Sequence, residues 1–327
     1  MIDRKGLMRI FFVLLVFYGV DAFAEFSKEY HKTFDVSEGT KLYLRHGDGN
    51  VSVTSWDKDQ LQVDVYYRSA GEKEDDKLFR VDFDRQDQNI YITGKEFRNF
   101  WGFTGRYLKE YRYEIKGPAY LLLDLEGDDG DVKIVAWRND ISVDLSDGDV
   151  DLENVSAGTV QIDMADGDLN IDDLHGELTV DCQDGDIILE NLNTSRSDIS
   201  NQDGSVRITG ASGSFKIRLA DGSCHISGMK AGNLDIRTQD GNINAELDGN
   251  GSPQIWASCQ DGNIDLVLPS EINAELQISG RRHSISTRLQ NAKIERDEKD
   301  YLRAVLGNGE GSIELSSGDG RISVRQK

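Results

Sequence analysis

Acidic residues and glycines recur together in this chain at a spacing that could hold cations. Asp129, Asp147, Asp166, Asp184, Asp203, Asp221, Asp240 and Asp261 each precede a glycine, and Asp131, Asp149, Asp168 and Asp186 each follow one. Stacked carboxylates supply the hard oxygen ligands that Ca²⁺ takes. The same residues are turn formers, because glycine accepts positive φ and aspartate bonds to nearby backbone N–H groups. Like charges about 4.8 Å apart repel by only about 1 kcal/mol in water, so the column stands without a metal. The pattern also lacks the nine-residue repeat of Ca²⁺-binding β-rolls. The expectation is a structural ladder with no cofactor assigned, Ca²⁺ being the one ion it could admit.

A second group of residues could make contacts. Residues 97–113 interrupt the strand pattern and carry Phe100, Trp101, Phe103, Arg106 and Tyr107. Protruding aromatic and Arg side chains are what binding surfaces use, and they are equally what a cap needs to seal the first unit of a repeat array. Both readings stand for this segment. Trp256 lies apart, an outward residue between inward Ile255 and Ala257, and is a further candidate partner contact. An outward column reads Asp144, Asp163, Asp181, Ser200, Arg218, Arg237 and Ser258, so one face changes sign along the chain. Such a face could dock a charged glycan or partner, or simply be solvated.

Catalysis finds less support. Acid–base cleavage of a glycan needs two carboxylates converging around a cleft, and here acidic residues are spread everywhere. Asp172, Asp173 and His175 resemble a fragment of such a site but fall on a turn. The five histidines, His31, His46, His175, His225 and His283, show no zinc spacing. No nucleophile elbow or phosphate loop is present. No catalytic, cofactor or metal residue is assigned. A carbohydrate-active β-helix enzyme, a polysaccharide lyase or hydrolase, is kept as the alternative.

These groups are positioned by a repeat. Gly130, Gly148, Gly167, Gly185, Gly204, Gly222, Gly241 and Gly262 are separated by 18, 19, 18, 19, 18, 19 and 21 residues. Aligned on these glycines, apolar residues fill columns two and four places after and five and seven places before, with Ser197 the exception. That is period-two strand patterning, two strands per coil of 18 to 19 residues. One coil cannot bury its own apolar face and must stack on the next. The fold class expected is all-β, a parallel β-solenoid resembling a β-helix and capped at both ends. Cys182 and Cys259 share an inward column four coils apart, about 19 Å by strand spacing. A disulfide needs Cα atoms within about 7 Å, so no bridge is expected.

The register extends through Leu276, Ile278 and Ile285 to a ninth coil with His283 in the glycine place. Residues 25–125 read as an irregular β region acting partly as a cap, 126–289 as the regular repeats, and 290–327 as a polar interruption, loop or short helix, followed by a closing coil. Residues 1–24 read as a signal peptide: basic Arg4, Lys5 and Arg9, an apolar run over 10–20, and Ala22-Phe23-Ala24 before Glu25. That run is too short to span a membrane comfortably, and no later apolar run supplies a transmembrane segment. Removing residues 1–24 takes away three basic and two acidic side chains, moving the formal net charge from −22 to −23. Such a chain repels nucleic acid.

Particular stretches resemble a known family. Val51-Ser52-Val53-Thr54-Ser55-Trp56, then Glu114-Ile115-Lys116-Gly117-Pro118 leading into residues 121–125, the serial Asp-Gly-Asp turns, and Gly318-Asp319-Gly320-Arg321-Ile322-Ser323-Val324 look like the bacterial "putative-adhesin" family of β-strand-repeat proteins, a domain of unknown function. The resemblance covers nearly all of the chain after residue 24. It implies adhesion and carries no catalytic or binding residues across. The function expected is a non-enzymatic exported solenoid, periplasmic or on the cell surface, that binds or scaffolds an envelope protein or glycan.

Overall fold

A computed structural model describes residues 25–70, 79–96, 109–230, 232–281 and 284–327. The described residues form twenty-six strands and no helix, so the all-β expectation holds. Residues 1–24, read above as a signal peptide, His283, and Phe100, Trp101, Phe103, Arg106 and Tyr107 lie outside the described residues.

The strands before each glycine pair in parallel from coil to coil, Val143 on Ile162, Ile162 on Val180, Val180 on Ile199 and onward to Ala257. The strands after each glycine do the same, Val150 on Leu169, Ile187 on Val206 and Cys224 on Ile243. Side chains alternate along a strand, so the aligned columns face inward together. Ile162, Ile199, Ile217 and Ile236 are fully buried. Ser197, the one polar member of its column, is also buried, and its hydroxyl is 2.8 Å from that of Thr194. The apparent exception is a paired polar group inside the core.

The Asp-Gly turns stack directly. A Cβ placed on Gly185, whose φ is +141°, would sit 2.0 Å from the Gly167 carbonyl oxygen, so each turn backbone rests on the one below. The residue after the glycine completes the ladder. The carboxylate of Asp131 accepts from Asp149 N at 3.2 Å, Asp149 from Asp168 N at 2.9 Å, and Asp168 from Asp186 N at 2.8 Å. Asn242 and Asn263 continue the same bond in the later coils.

The second corner of each coil is a bend within extended chain. The sixth residue past the glycine takes the left-handed conformation at Ala136, Asn154, Asp173, Asn191, Gly210 and Gly228, with φ of 55° to 68°. The next residue then turns inward as a buried Trp137, Val155, Leu174, Leu192, Ala211 or Met229. Asn and Asp tolerate this region and Gly favours it, so a third apolar column sits on a narrow edge. In the central coils the strand runs around this corner unbroken, as in Val150–Asp166 and Ile187–Asp203.

Order along the rod departs from order along the chain at both ends. Strand Lys41–Asp48 pairs directly with Leu122–Asp129, so the Gly49 turn is the first rung and residues between fold outward over it. At the other end, the coil turning at Gly320 docks on the Gly262 coil, Ile255 on Ile313 and Ile264 on Ile322. The expected ninth coil, Ala274–Ser279 with Ile285–Arg288, lies beyond it. The coil expected to close the rod is therefore internal, because its apolar columns and Asp319-Gly320 turn match the Gly262 coil rung for rung. The polar interruption contributes a strand, Lys293–Asp297, antiparallel to Tyr301–Leu306. Both ends thus finish in antiparallel pairs, which stop the parallel stack from recruiting further coils.

Candidate functional site

The inward columns are consumed by packing and the turn ladder by its own hydrogen bonds, which leaves the outward faces. Beside the strands before each glycine, positions four, six and eight places back point to solvent. In the N-terminal half this face carries Asp144, Asp163 and Asp181, none of them ion-paired among the described residues. In the C-terminal half it carries Arg196, Lys216, Arg218 and Arg237.

Those cations are organised around carboxylates and an aromatic ring. Asp198 receives Arg196 at 3.3 Å, Lys216 at 3.3 Å and Arg218 at 3.5 Å. On the next coil Arg237 lies 3.2 Å from Asp235, and its guanidinium sits 4.0 Å from the ring centroid of Trp256. Trp256 is half-buried, flanked across the ladder by Asp235 and Glu314. Arg196, Lys216, Asp235, Trp256 and Glu314 line a groove of about 500 Å³ running over several coils, and Asp198, Arg218 and Arg237 lie beside it. Its floor is strand backbone and aliphatic stem, its walls are charged, and one aromatic plane stands at its end. A groove of this composition offers a partner stacking and ion pairing.

At the opposite end of the same outward column Tyr43 and Tyr91 stack with centroids 4.7 Å apart, and the Lys41 ammonium lies 4.4 Å from the Tyr43 ring. The face therefore begins and ends in an aromatic–cation pair. The expected candidate Trp256 is on this face; Arg196, Asp198, Lys216, Asp235 and Glu314 were not singled out, although the register that placed Arg218 and Arg237 places them two and four residues away. Tyr43 needed the Gly49 rung to be joined to the Gly130 rung across an interruption of eighty residues.

The remaining groups keep structural places. Asp173 is the left-handed corner residue, and its carboxylate is 3.3 Å from His175 Nε2, both side chains about half exposed. Among the described residues no three His, Cys, Asp or Glu side chains converge as metal ligands. Burial and the flanking carboxylates push the Asp129 and Asp184 carboxyls above their ordinary range. All three cysteines are unpaired and buried. Burial pushes the Cys182 thiol up to about 11 and that of Cys224 to about 12, which suppresses the reactive thiolate. No described helix is long and apolar enough to cross a membrane.

Compared with known proteins, residues 39–264 and 211–325 match the family model described as Toastrack DUF4097. Two crystal structures are similar over 92% of this chain: a "putative cell adhesion protein" of Clostridium sporogenes, 12% identical, all of its chain covered, TM-score 0.27, and a "putative adhesin" of Bacteroides fragilis, 14% identical, 97% of its chain covered, TM-score 0.37. No curated protein matches the chain.

Proposed function

The chain belongs to the Toastrack DUF4097 family, and from that premise we propose that it is a non-enzymatic, adhesin-like binding and scaffolding solenoid of the cell envelope, exported after removal of residues 1–24. Its docking surface is the outward face that ends at Trp256. The observation that supports this is the groove itself, lined by Arg196, Lys216 and Trp256, with Arg237 stacked on the Trp256 ring and Asp198 beside it holding three cations. On a chain of net charge −22, a local concentration of cations near an aromatic plane is a feature a partner can read. Rigidity adds to the case, because a fully stacked parallel rod presents its groove with little ordering cost on binding. The aromatic segment 97–113 belongs to the same proposal as cap or second contact.

The test is retention of envelope glycans and proteins on the immobilised protein, wild type against Trp256→Ala and Arg237→Ala. Both side chains point outward, so melting temperatures should stay within a few degrees while specific retention falls at least tenfold, the loss of about 1.4 kcal/mol. Retention unchanged in both variants removes the groove from the account.

A further inference from the structure

The outward face changes sign along the rod, and three pairs of opposite charges on it are placed symmetrically about its middle. Counting coils from the one that turns at Gly49, the column four places before the glycine is acidic at the third and fourth coils, Asp144 and Asp163, and basic at the seventh and eighth, Arg218 and Arg237. Four residues further back, the fifth coil carries Glu177 and the sixth Arg196. Asp144, Asp163 and Glu177 find no cation on their own chain among the described residues, whereas Glu126 of the second coil is paired with Arg45 at 2.9 Å.

Resting on the reading of this face as the docking surface, we propose that its partner is a second copy of this chain, packed face to face and antiparallel about a twofold axis along the strand direction. A half-turn about that axis, placed between the strands Leu169–Asp184 and Ile187–Asp203, turns the face over and reverses the rod. It leaves strand direction unchanged, so every outward column meets itself with coil order reversed. Asp144 then opposes Arg237 of the second copy, Asp163 opposes its Arg218, and Glu177 opposes its Arg196, each pair occurring twice. At every other opposed position of the columns two, four, six and eight places before the glycine at least one residue is neutral, so no like charges meet. Packing the rods in parallel, about a twofold along the rod, reverses strand direction, and with that axis through the column four places before the glycine it sets Asp144 on Asp144 and Arg218 on Arg218, an arrangement the charge pattern opposes. Such an isologous contact is self-complementary and closes as a dimer.

The dimensions fit a stable contact. Eight coils at about 4.8 Å, crossed by about seven residues at about 3.3 Å, give roughly 900 Å² per protomer. A stable interface buries about 800 Å² per partner. The net charge of each copy opposes approach at long range, but the opposed pairs lie within the screening length of about 8 Å at physiological salt.

Sedimentation velocity of the purified protein at physiological salt should show a dimer. Asp163→Arg alone, or Arg218→Asp alone, sets like charges face to face twice and should raise the dimer dissociation constant roughly a hundredfold. The double variant Asp163→Arg with Arg218→Asp recreates both pairs in reverse and should return to within about threefold of wild type. Should a reversal disturb folding, as read by its melting curve, the pair Asp144→Arg with Arg237→Asp makes the same test. A wild-type monomer at every concentration reached, a dimer indifferent to either reversal, or a double variant as weak as the singles would each overturn the proposal. A monomer whose envelope retention still depends on Trp256 would remove self-pairing and keep the docking face. A dimer that obeys the charge swap while retention ignores Trp256 would do the reverse.

Discussion

The central coils and the N-terminal cap bury apolar surface by different routes. From Val150 to Asp203 each coil repeats the same inward places, every strand has a parallel neighbour on both sides, and each turn rests on the turn below. Over residues 25–117 antiparallel pairs join the parallel ones, Glu25–Asp35 on Gln60–Ala70 and that strand on Lys109–Gly117, beside the parallel pairing of Lys41–Asp48 with Asn89–Glu96. The cap core is aromatic, with Tyr67 stacked on Phe79 and on Tyr111 at 5.2 and 5.1 Å. It also encloses an imidazole: His46, 5% exposed, heads the inward column three places before the glycine, over Gly127 and against Tyr113. Later polar members of that column, Asn201, Thr238 and Ser317, donate to the glycine carbonyl one turn below, whereas neither ring nitrogen of His46 has a side-chain partner. Repetition makes the centre uniform, and the cap, which must end the repetition, collects the exceptions.

The largest effect that would break this comparison belongs to the centre. Ile162→Asp or Ile217→Asp puts an unpaired carboxylate into a dry column between two coils, and more than about 4 kcal/mol of stability should be lost. Urea melts read by circular dichroism check this. A loss under about 1 kcal/mol would mean that these columns are not packed as described.

These columns were legible because a fixed period aligns them. Ile162, Val180 and Ile217 fall in register whether or not any single strand is recognisable alone, and Cys182, Cys224 and Cys259 read as core hydrophobes for the same reason. The left-handed corner was within reach, since Asn154, Asp173, Asn191, Gly210 and Gly228 share one register position, but a lone Ala136 and a short edge of one inward residue hide it from two-residue periodicity. Rung order at the C-terminal end was not legible. Pairing energy depends on matching columns rather than on chain order, and the Gly320 coil matches the Gly262 coil as well as its nearer neighbour in sequence does. Within the proposed docking face, Trp256, Arg218 and Arg237 were readable from the register, while the gathering of three cations on Asp198 required the stacking of adjacent strands.

The next effect separates the two regions by pH. Burial lowers the His46 imidazole from 6.5 to about 4. The folded chain keeps it neutral, so its contribution is complete above pH 6.5 and falls as the unfolded chain takes up a proton, by about 3 kcal/mol as pH approaches 4. The raised carboxyls of Asp129 and Asp184 act in the opposite sense, because the folded chain binds their protons more readily and gains stability as pH falls through their shifted range. Hydrogen exchange at pH 5 against pH 7 should therefore show protection lost first around Lys41–Asp48 and Lys109–Gly117 and retained in Leu169–Ile208. His46→Phe should remove that difference, and equal loss in both regions would contradict it.

A smaller change probes the turns. Gly185→Ala directs a methyl at the Gly167 carbonyl from a positive-φ residue and should cost roughly 2 kcal/mol in a thermal melt. Gly249→Ala, whose Cβ would meet nothing within 4 Å, should cost less, leaving only its backbone strain. Equal costs would mean that turn stacking is loose. Smallest of all is the response to cations: millimolar Ca²⁺ and Mg²⁺ should raise the melting temperature slightly and equally, through screening of the acidic ladder. A large Ca²⁺-selective rise abolished by Asp166→Asn with Asp184→Asn would give the ladder a metal.

Whether function resides on the outward face or on the turn ladder is decided most directly by one paired binding measurement. Retention of envelope components is compared between a face variant, Trp256→Ala with Arg237→Ala, and a ladder variant, Asp149→Asn with Asp168→Asn, whose amide oxygens keep the ladder bonds. The face variant is predicted to lose at least nine-tenths of specific retention, from the removal of an aromatic and an Arg anchor, while the ladder variant retains it. Retention that survives the face variant and disappears with the ladder variant would contradict the account and move the binding site to the turns.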